Sequence, residues 1–492
     1  MHRGICIPIA EKHMNSALEA IERANSEPAD LIELRLDWIS GPIDVATLVR
    51  AARKPVIATC RPVNEGGYSP LPDEDRLAIL WQASNAGAAY VDIEWDVFGR
   101  MGFQGSAPVI ASYHNFTETP RNIADIAARI ETLPCAVVKF ATLATSLADN
   151  FRVWDAMARC RKPVVGLCMD ELGEASRVLA LRMGSLLTFG ALERGRESAP
   201  GQLTARELSD LYRVRSITKD TKLYGVVGTP IAHSMSPEIH NAAFRELGLD
   251  AAYLRFRVDD FSSFLKLTEP LQLQGLSVTI PHKQAALAAA CAATGLSTRI
   301  GAANTLSRTP DGWACDNTDC HASMAAIADA ATRAGQTLAG ARALVVGAGG
   351  ASRAIVAGLV DAGCAVAIVN RTHARAVELA AEFGATAVTE GELRPGRFDI
   401  IANTTSVGMH PHVDETPVNP ELFGKGVAVF DAVYNPRETR MLREAAARGA
   451  AISDGVRMFV GQAARQFEIW TGRTAPVRVM EEVVLRRLAC MR

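Results

Sequence analysis

The sequence is short of several features that would direct it to particular classes. It has no basic excess: 52 Lys and Arg stand against 54 Asp and Glu, giving a formal charge of −2 and a pI near 6.6. Tight attachment to a nucleic-acid backbone or an anionic bilayer calls for such an excess, so neither partner is expected. No apolar run approaches the ~20 residues of a membrane span. The ten cysteines fall at 6, 60, 135, 160, 168, 291, 315, 320, 364 and 490, with no CxxC pair and no framework spacing. That pattern argues against a metal site and against a disulfide scaffold. Most of them sit in apolar stretches, as small buried hydrophobes of a reduced chain do. The start, Met1-His2-Arg3-Gly4-Ile5-Cys6, reads as the entry into a strand and not as a signal or transit peptide, so a cytoplasmic location is expected.

What the sequence does have is length and rhythm. Its 492 residues, 48% hydrophobic and 22% charged, are enough for several globular cores. Short β-branched runs alternate with helix-sized segments: Ile5–Ile9, Leu31–Leu36, Pro55–Cys60, Ala89–Glu94, Val109–Tyr113, Ala136–Phe140, Val164–Cys168 and Ser185–Phe189. Eight such runs are the arithmetic of a (β/α)8 barrel. Thr204-Ala205-Arg206-Glu207 reads as a capping box opening a final helix, and the polar stretch Ser216–Lys222 as a linker. From Leu223 an α/β segment runs to about Thr332, and a βαβ unit follows. The expected fold class is therefore α/β: a barrel over 1–215, a linker over 216–222, an α/β domain over 223–332 and a Rossmann domain over 333–492, whose last helices return to the domain before it.

In a barrel of this kind chemistry gathers where the strands end. Polar residues occupy those ends repeatedly: Glu33 and Arg35 on one face of the second strand, Arg61 after the third, His114 after the fifth and Lys139 near the end of the sixth. Taken singly, such an Arg or Glu is a solvated rim residue and such a His a structural one. Their convergence on one face favours a site. Lys139 is the sharpest case, because a lysine in an apolar strand must snorkel or be buried at a cost. Burial lowers an ammonium pKa, so an uncharged amine able to attack a carbonyl is expected.

These positions resemble type I 3-dehydroquinate dehydratase, from Gly4 to about Leu211. The resemblance rests on Glu33-Leu34-Arg35-Leu36-Asp37, Cys60-Arg61-Pro62 with Glu65-Gly66-Gly67, Ser112-Tyr113-His114, Val138-Lys139, Ser176-Arg177, Thr188-Phe189-Gly190 and Ser198-Ala199-Pro200-Gly201-Gln202. It implies a Schiff base between Lys139 and the substrate ketone, with His114 removing the adjacent proton and later helping to expel water. It also implies Arg177 as the clamp on a substrate carboxylate. Glu33, Arg35, Arg61, Ser198 and Gln202 would hold hydroxyls or order a closing loop.

In the second half, the strand Ala343–Val346 enters Gly347-Ala348-Gly349-Gly350-Ala351-Ser352. Glycines there let backbone amides approach a pyrophosphate at a helix N-terminus. Ser352 departs from the usual Gly or Ala. One helix later come Asn370-Arg371-Thr372 and Arg375; arginines in place of an acidic residue favour a 2′-phosphate, so NADP is expected. Upstream lie Ser234-Met235-Ser236-Pro237, Ser277-Val278-Thr279-Ile280-Pro281-His282-Lys283, Gly301-Ala302-Ala303-Asn304-Thr305 and Asp316-Asn317-Thr318-Asp319. Each alone is open to a reading as capping or turn chemistry.

Together these strings resemble shikimate dehydrogenase from Leu223 onward. The resemblance implies Ser234, Ser236, Thr279, Asn304, Asp319 and Gln462 around the substrate, with Tyr434 beside it. It implies Lys283 and Asp319 as the catalytic pair, and Thr404 and Gly455 beside the nucleotide. Cys320 departs from the Gly of many single-domain members. That cysteine, the order of the halves, and Asn403-Thr404-Thr405-Ser406-Val407-Gly408-Met409 with Asp414-Glu415-Thr416-Pro417 are most similar to the plant-type bifunctional dehydratase–dehydrogenase. The expected partners are small-molecule substrates, with a monomer favoured. Two competing readings are a quinate dehydrogenase, against which Ser236 and Thr279 both argue, and a catalytically dead metabolite sensor. The intact Lys139, His114, Lys283 and Asp319 argue against the latter.

Overall fold

The structure is a computed structural model describing residues 1–490. By contacts the chain divides into two compact units: Met1–Lys222 with Asp250–Val258, and the remainder. The first is built on β1 (Gly4–Ile9), β2 (Leu31–Arg35), β3 (Val56–Thr59), β4 (Tyr90–Glu94), β5 (Val109–Asn115), β6 (Val137–Leu143), β7 (Val164–Met169) and β8 (Leu187–Phe189). They follow one another in the order β7-β6-β5-β4-β3-β2-β1-β8. Between β8 and β7 closure rests on one bridge, Val164 to Ser185, with the Leu186 N–H on the Val164 carbonyl at 2.8 Å. The result is a nearly closed parallel barrel. The helices between strands bury one stripe each; Met14–Ser26 turns Ala17, Ala20, Ile21 and Ala24 inward.

The two-residue period of a strand decides what fills the barrel. Leu31, Ile57, Tyr90, Ile110, Val137, Val165 and Leu187 share one apolar cluster at its floor. Two residues further along the same strands stand Glu33, Thr59, Asp92, Ser112 and Lys139, all buried. An apolar layer thus supports a polar one.

Several boundaries differ from expectation. β5 and β6 run on to Asn115 and Leu143, so His114 lies inside its strand and Lys139 is the third of seven residues. The Thr204–Glu207 box forms, with Thr204 N–H on Glu207 Oε2 at 2.9 Å and Glu207 N–H on Thr204 Oγ1 at 3.1 Å. It opens a single π-helical turn, Glu207–Leu211, in place of a regular helix. Lys222, placed in the linker by composition, is the first residue of a strand, Lys222–Gly228.

In the second unit that strand lies beside Gly275–Val278, then Thr305–Thr309, Gly312–Asp316 and Ala292–Ala293, in a mixed sheet. A second sheet is wholly parallel, with first to sixth strands Arg342–Val346, Ala365–Val369, Thr386–Ala387, Ile400–Asn403, Ala428–Asp431 and Ala451–Ser453. Their spatial order is third, second, first, fourth, fifth, sixth. In this doubly wound arrangement the ligand crevice opens between the first and fourth strands, beyond their carboxyl ends. The loops carrying Gly347 and Thr404 flank that point.

Candidate active sites

At the barrel mouth one cavity is lined by all eight residues singled out for that half: Glu33, Arg35, Arg61, His114, Lys139, Arg177, Ser198 and Gln202. Lys139 Nζ lies 2.7 Å from Asp92 Oδ2 and 3.5 Å from Glu33 Oε1. Burial by itself lowers its pKa, but Asp92 and then Glu33 outweigh it, and the net shift is upward. This corrects the expectation of an uncharged amine: the side chain rests as an ammonium. Asp92 had no role in the sequence reading. Its signal was present, since Asp92 and Glu94 alternate within an otherwise apolar strand and so share the inward face.

The arginines are differently employed. Arg61 is buried and bonds Asp92 at 2.6 Å, Glu94 at 2.5 Å and Ser112 at 2.9 Å. It therefore acts on the charge balance of the mouth, whose cavity it also lines. Burial notwithstanding, Arg61 and Lys139 hold Asp92 well below the usual carboxylate range. Arg35 forms a fork–fork pair with Asp37 at 2.9 and 2.8 Å. Arg177 is the opposite case. Wholly buried, it gives Nη2 to the Pro200 carbonyl at 3.2 Å, while Nε and Nη1 have no partner among the described residues. Burial lowers it to about 10. A guanidinium held dry with two idle donors is half of a carboxylate site. Ser198 and Gln202 bond each other, the Gln202 amide on Ser198 Oγ at 3.2 Å.

His114 Nδ1 is 3.1 Å from Glu65 Oε2. Burial, with Arg61 and Lys139 nearby, holds the imidazole well below its ordinary pKa, while burial pushes Glu65 up to about 8. Glu65 is a second missed residue. It stood in a recognised motif but in a loop, where spacing assigns no face.

In the second unit Lys283 opens the helix Lys283–Ala289, and its Nζ lies 2.6 Å from Asp319 Oδ2. Asp319 sits in the first turn of Thr318–Arg333, capped by the Asn317 side chain on the Cys320 N–H. Cys320 is buried, with its Sγ 3.0 Å from where a Cβ on Gly358 would stand. Asn304 holds this corner together: its amide donates to Thr318 Oγ1 at 3.0 Å and its carbonyl accepts from the Thr318 N–H at 2.8 Å. The Ala303 N–H bonds the Lys283 carbonyl at 2.9 Å. Ser234 and Ser236 bond one another at 3.2 Å, at the start of the helix Ser236–Glu246. Thr279 packs its methyl 2.4 Å from where a Cβ on Gly228 would stand, so that glycine leaves it room. Gln462 donates to the Phe459 carbonyl at 3.0 Å, within its own helix. One turn on, Gln466 bonds Ser277 Oγ, the Asn304 carbonyl and Thr305 Oγ1 at 2.7, 3.1 and 3.0 Å, fastening that helix to the strand ends. The sequence reading missed Gln466, since nothing local marks its partners. Tyr434 stacks on Phe459 at 4.6 Å.

The glycine loop has its own logic. Gly347 adopts φ +114°, and a Cβ there would lie 2.5 Å from Thr404 Oγ1. Ser352, fully buried, accepts the Gly349 N–H at 2.9 Å and meets Thr404 Oγ1 at 2.6 Å; Thr404 in turn donates to the Val346 carbonyl at 2.7 Å. These two hydroxyls brace the loop from behind, which accounts for a serine at position 352. Around Gly349 a Cβ would meet nothing within 4 Å, and at Gly350 only Lys283 Cδ at 3.7 Å, so the loop is open at Gly349, with Ala348, Gly350 and Ala351 half-buried beside it. Asn370 turns its amide back to the Thr372 carbonyl at 2.9 Å. Arg371 and Arg375 are exposed and make no ion pair among the described residues. Two unpaired guanidinia beyond the second strand, beside an open glycine loop, fit a dinucleotide bearing a 2′-phosphate. Gly455 is required for packing, because a Cβ would come within 2.5 Å of the Ala432 and Val433 carbonyls.

Comparison with known proteins follows the same division. The family model for type I 3-dehydroquinase matches residues 5–219. Those for the shikimate dehydrogenase substrate binding domain, shikimate/quinate 5-dehydrogenase, and the shikimate 5′-dehydrogenase C-terminal domain match 226–306, 329–418 and 455–485. The bifunctional 3-dehydroquinate dehydratase/shikimate dehydrogenase, chloroplastic, of Arabidopsis thaliana is 39% identical over 505 residues, covering 98% of this chain and 84% of that protein. A shikimate dehydrogenase (NADP(+)) of Halobacterium salinarum is 44% identical over 273 residues, 54% of this chain and 99% of that one. A solved shikimate dehydrogenase in complex with NADP+ is 32% identical with a TM-score of 0.52, over 55% of this chain and 97% of that one. Among the described residues no helix is long and apolar enough to cross a membrane.

Proposed function

We propose a division of labour for this chain, which belongs to the family of bifunctional 3-dehydroquinate dehydratase/shikimate dehydrogenases. It catalyses two consecutive steps: dehydration of 3-dehydroquinate to 3-dehydroshikimate, and reduction of that product to shikimate with NADP as cofactor. Residues 1–215 carry the lyase, and 216–221, up to the strand that opens at Lys222, join it to the reductase. Residues 223–332 carry the reductase's substrate side, and 333–492 its nucleotide side.

In the barrel, the Lys139 nitrogen bonds the substrate's ketone carbon and the ketone oxygen leaves as water. The ammonium must first give up a proton. Glu33, 3.5 Å away, takes it, because Arg61 and Lys139 make Asp92 the weaker base, and passes it to the ketone oxygen as that oxygen leaves. The iminium then carries the positive charge the ammonium had, so Asp92 stabilises the intermediate as it stabilised the resting lysine. His114, backed by Glu65, removes the proton from the adjacent carbon, and the electron pair moves toward the iminium nitrogen. The same pair returns that proton to the departing hydroxyl, which leaves as water. A second water hydrolyses the imine, freeing product and lysine. The two idle donors of Arg177 hold the substrate carboxylate.

In the second unit the bound NADPH supplies the hydride. Lys283, oriented by Asp319 at 2.6 Å, gives a proton to the substrate's carbonyl oxygen. Ser234, Ser236, Thr279, Asn304, Tyr434 and Gln462 surround the substrate, with Asn304 also fixing the helix that presents Asp319. The open backbone of Gly347–Ala351 takes the pyrophosphate, and Arg371 and Arg375, with Asn370 and Thr372, take the 2′-phosphate. We place the chain in the cytoplasm as a monomer.

The observation that carries the lyase reading is Lys139 buried between two carboxylates in the mouth that holds His114 and Arg177. Borohydride added with 3-dehydroquinate should reduce the imine and leave a mass adduct on the peptide bearing Lys139. Active protein with that peptide unmodified refutes the reading.

A further inference from the structure

Asp37 lies behind the barrel site, with its side chain wholly buried. Its carboxylate makes two bonds to Arg35, which lines the cavity, and Oδ2 also accepts the Tyr68 backbone N–H at 3.1 Å. Tyr68 ends the loop that begins with the 3-10 turn Val63–Glu65, and Glu65 is the partner of His114. One carboxylate thus joins the strand that presents Arg35 to the loop that presents Glu65.

Gly66 packs on the Phe116 ring and Gly67 on the Arg61 backbone, but nothing in that packing reaches the strand bearing Arg35. On its outer side is a cavity of about 730 Å3, lined among others by Asp37, Trp38, Cys60, Tyr68, Ser69 and Leu71. Val63 and Tyr68 are 63% and 61% exposed, so the loop's large side chains bury little that could hold it. Its other bonds are local: the Gly67 N–H reaches the Pro62 carbonyl at 2.9 Å and the Ser69 N–H the Arg61 carbonyl at 3.1 Å. They shape the loop without tying it to β2. The Trp38 and Tyr68 rings meet at 4.5 Å on the rim, a contact with space beneath it. A loop with a cavity on one side and the reacting groups on the other needs a polar tether to fix its register.

We propose that Asp37 is a positioning residue for the dehydration, holding Arg35 and the Tyr68 backbone at one distance and so setting where Glu65 stands against His114. The proposal rests on the imine reading above. It separates two stages: imine formation uses Lys139, Asp92 and Glu33, which Asp37 does not touch, whereas proton removal uses the Glu65–His114 pair.

The test is borohydride trapping together with steady-state kinetics on the full chain carrying Asp37→Asn, with the wild type alongside. Dehydration kcat should fall about 100-fold, the scale for a misplacement of ~1 Å. Lys139 should still be trapped, and the adduct should shift to the species heavier by one water, because the imine forms but does not eliminate. NADPH-linked reduction, in which Asp37 has no part, should be unchanged. Since Asp37→Asn also weakens the Arg35 pair, Tyr68→Pro, which leaves that pair and deletes the N–H donor together with the ring that meets Trp38, should show the same split, whereas Tyr68→Ala, which deletes the ring alone, should not; thermal melting confirms that each variant is folded. The proposal is overturned by kcat within about threefold of wild type in both folded Asp37→Asn and folded Tyr68→Pro, by a loss confined to KM, or by trapping that falls in step with turnover. Wild type that turns over without an adduct overturns the imine reading, and this proposal with it.

Discussion

Lys139 Nζ and Asp92 Oδ2 meet at 2.7 Å although 47 residues separate them in the chain. The contact decides the charge of the central nitrogen. Burial favours the neutral amine, but the carboxylates of Asp92 and Glu33 favour the ammonium and prevail. A site prepared for a cation before substrate arrives is prepared for the iminium that follows. Asp92→Asn should therefore abolish dehydration. Because it leaves Lys139 and Arg61 short of a buried counter-charge, it should also destabilise the barrel by about 3–5 kcal/mol, read from urea unfolding followed by barrel fluorescence.

Glu65 and His114 predict a pH dependence with a definite sign. With Glu65 protonated, its O–H is donated to Nδ1 of neutral His114 and the ring proton sits on Nε2, so no lone pair is left for the substrate proton. The competent base is the ionised Glu65 with neutral His114. Since burial raises Glu65 to about 8, dehydration kcat/KM should climb with pH and level off above about 8. Glu65→Gln should remove that limb along with most of the activity; a profile flat from about pH 6 to 9 in wild type would contradict the pairing.

Arg177 offers two donors that the protein itself leaves unmatched. Arg177→Lys keeps the charge but loses the planar fork. KM for 3-dehydroquinate should rise by roughly 30- to 150-fold, equivalent to about 2–3 kcal/mol for charge-assisted bonds. The substrate dependence of initial rates checks it, and an unchanged KM removes Arg177 from the carboxylate site.

Lys283→Ala should lower NADPH-linked reduction by about 10²- to 10⁴-fold, the range for removing a positioned proton donor, and leave dehydration intact. Separate assays of the two steps on one preparation decide it. Loss of both steps in folded protein would show that the clusters are not independent.

Cofactor choice should follow Arg371 and Arg375. Replacing both with Ala should weaken NADPH binding by about 10- to 100-fold, as loss of one or two charge-assisted phosphate contacts implies, and leave NADH binding nearly unchanged. Fluorescence titration with each nucleotide measures this without turnover. Equal use of NADH and NADPH by the unaltered chain would count against the assignment.

The strands of the barrel were legible within a few residues, because each is an apolar run bounded by turn residues and helix patterns. Strand alternation also placed Glu33 and Arg35 on one face. Other features could not be read locally. The capping box at Thr204 and Glu207 is real, yet the turn that follows is π-helical, a matter of what packs beneath it. Ser352 looked like a weakened fingerprint until its bond to Thr404, 52 residues away, showed it bracing the loop. Asp37 and Glu65 lay in recognised motifs, but only the folded loop sets them against Arg35 and His114.

Residue order along the chain determined the architecture and the identity of the reacting groups, since strand period, turn chemistry and motif spacing are short-range and survive in a string of letters. Tertiary structure alone decided their states: that Lys139 is charged, that Arg61 is committed, that Arg177 is not, and that Ser352 faces inward. The physical reason is that a pKa and a free donor depend on distance through space and on burial. Both are set by strands that become neighbours only when the barrel and the sheets close.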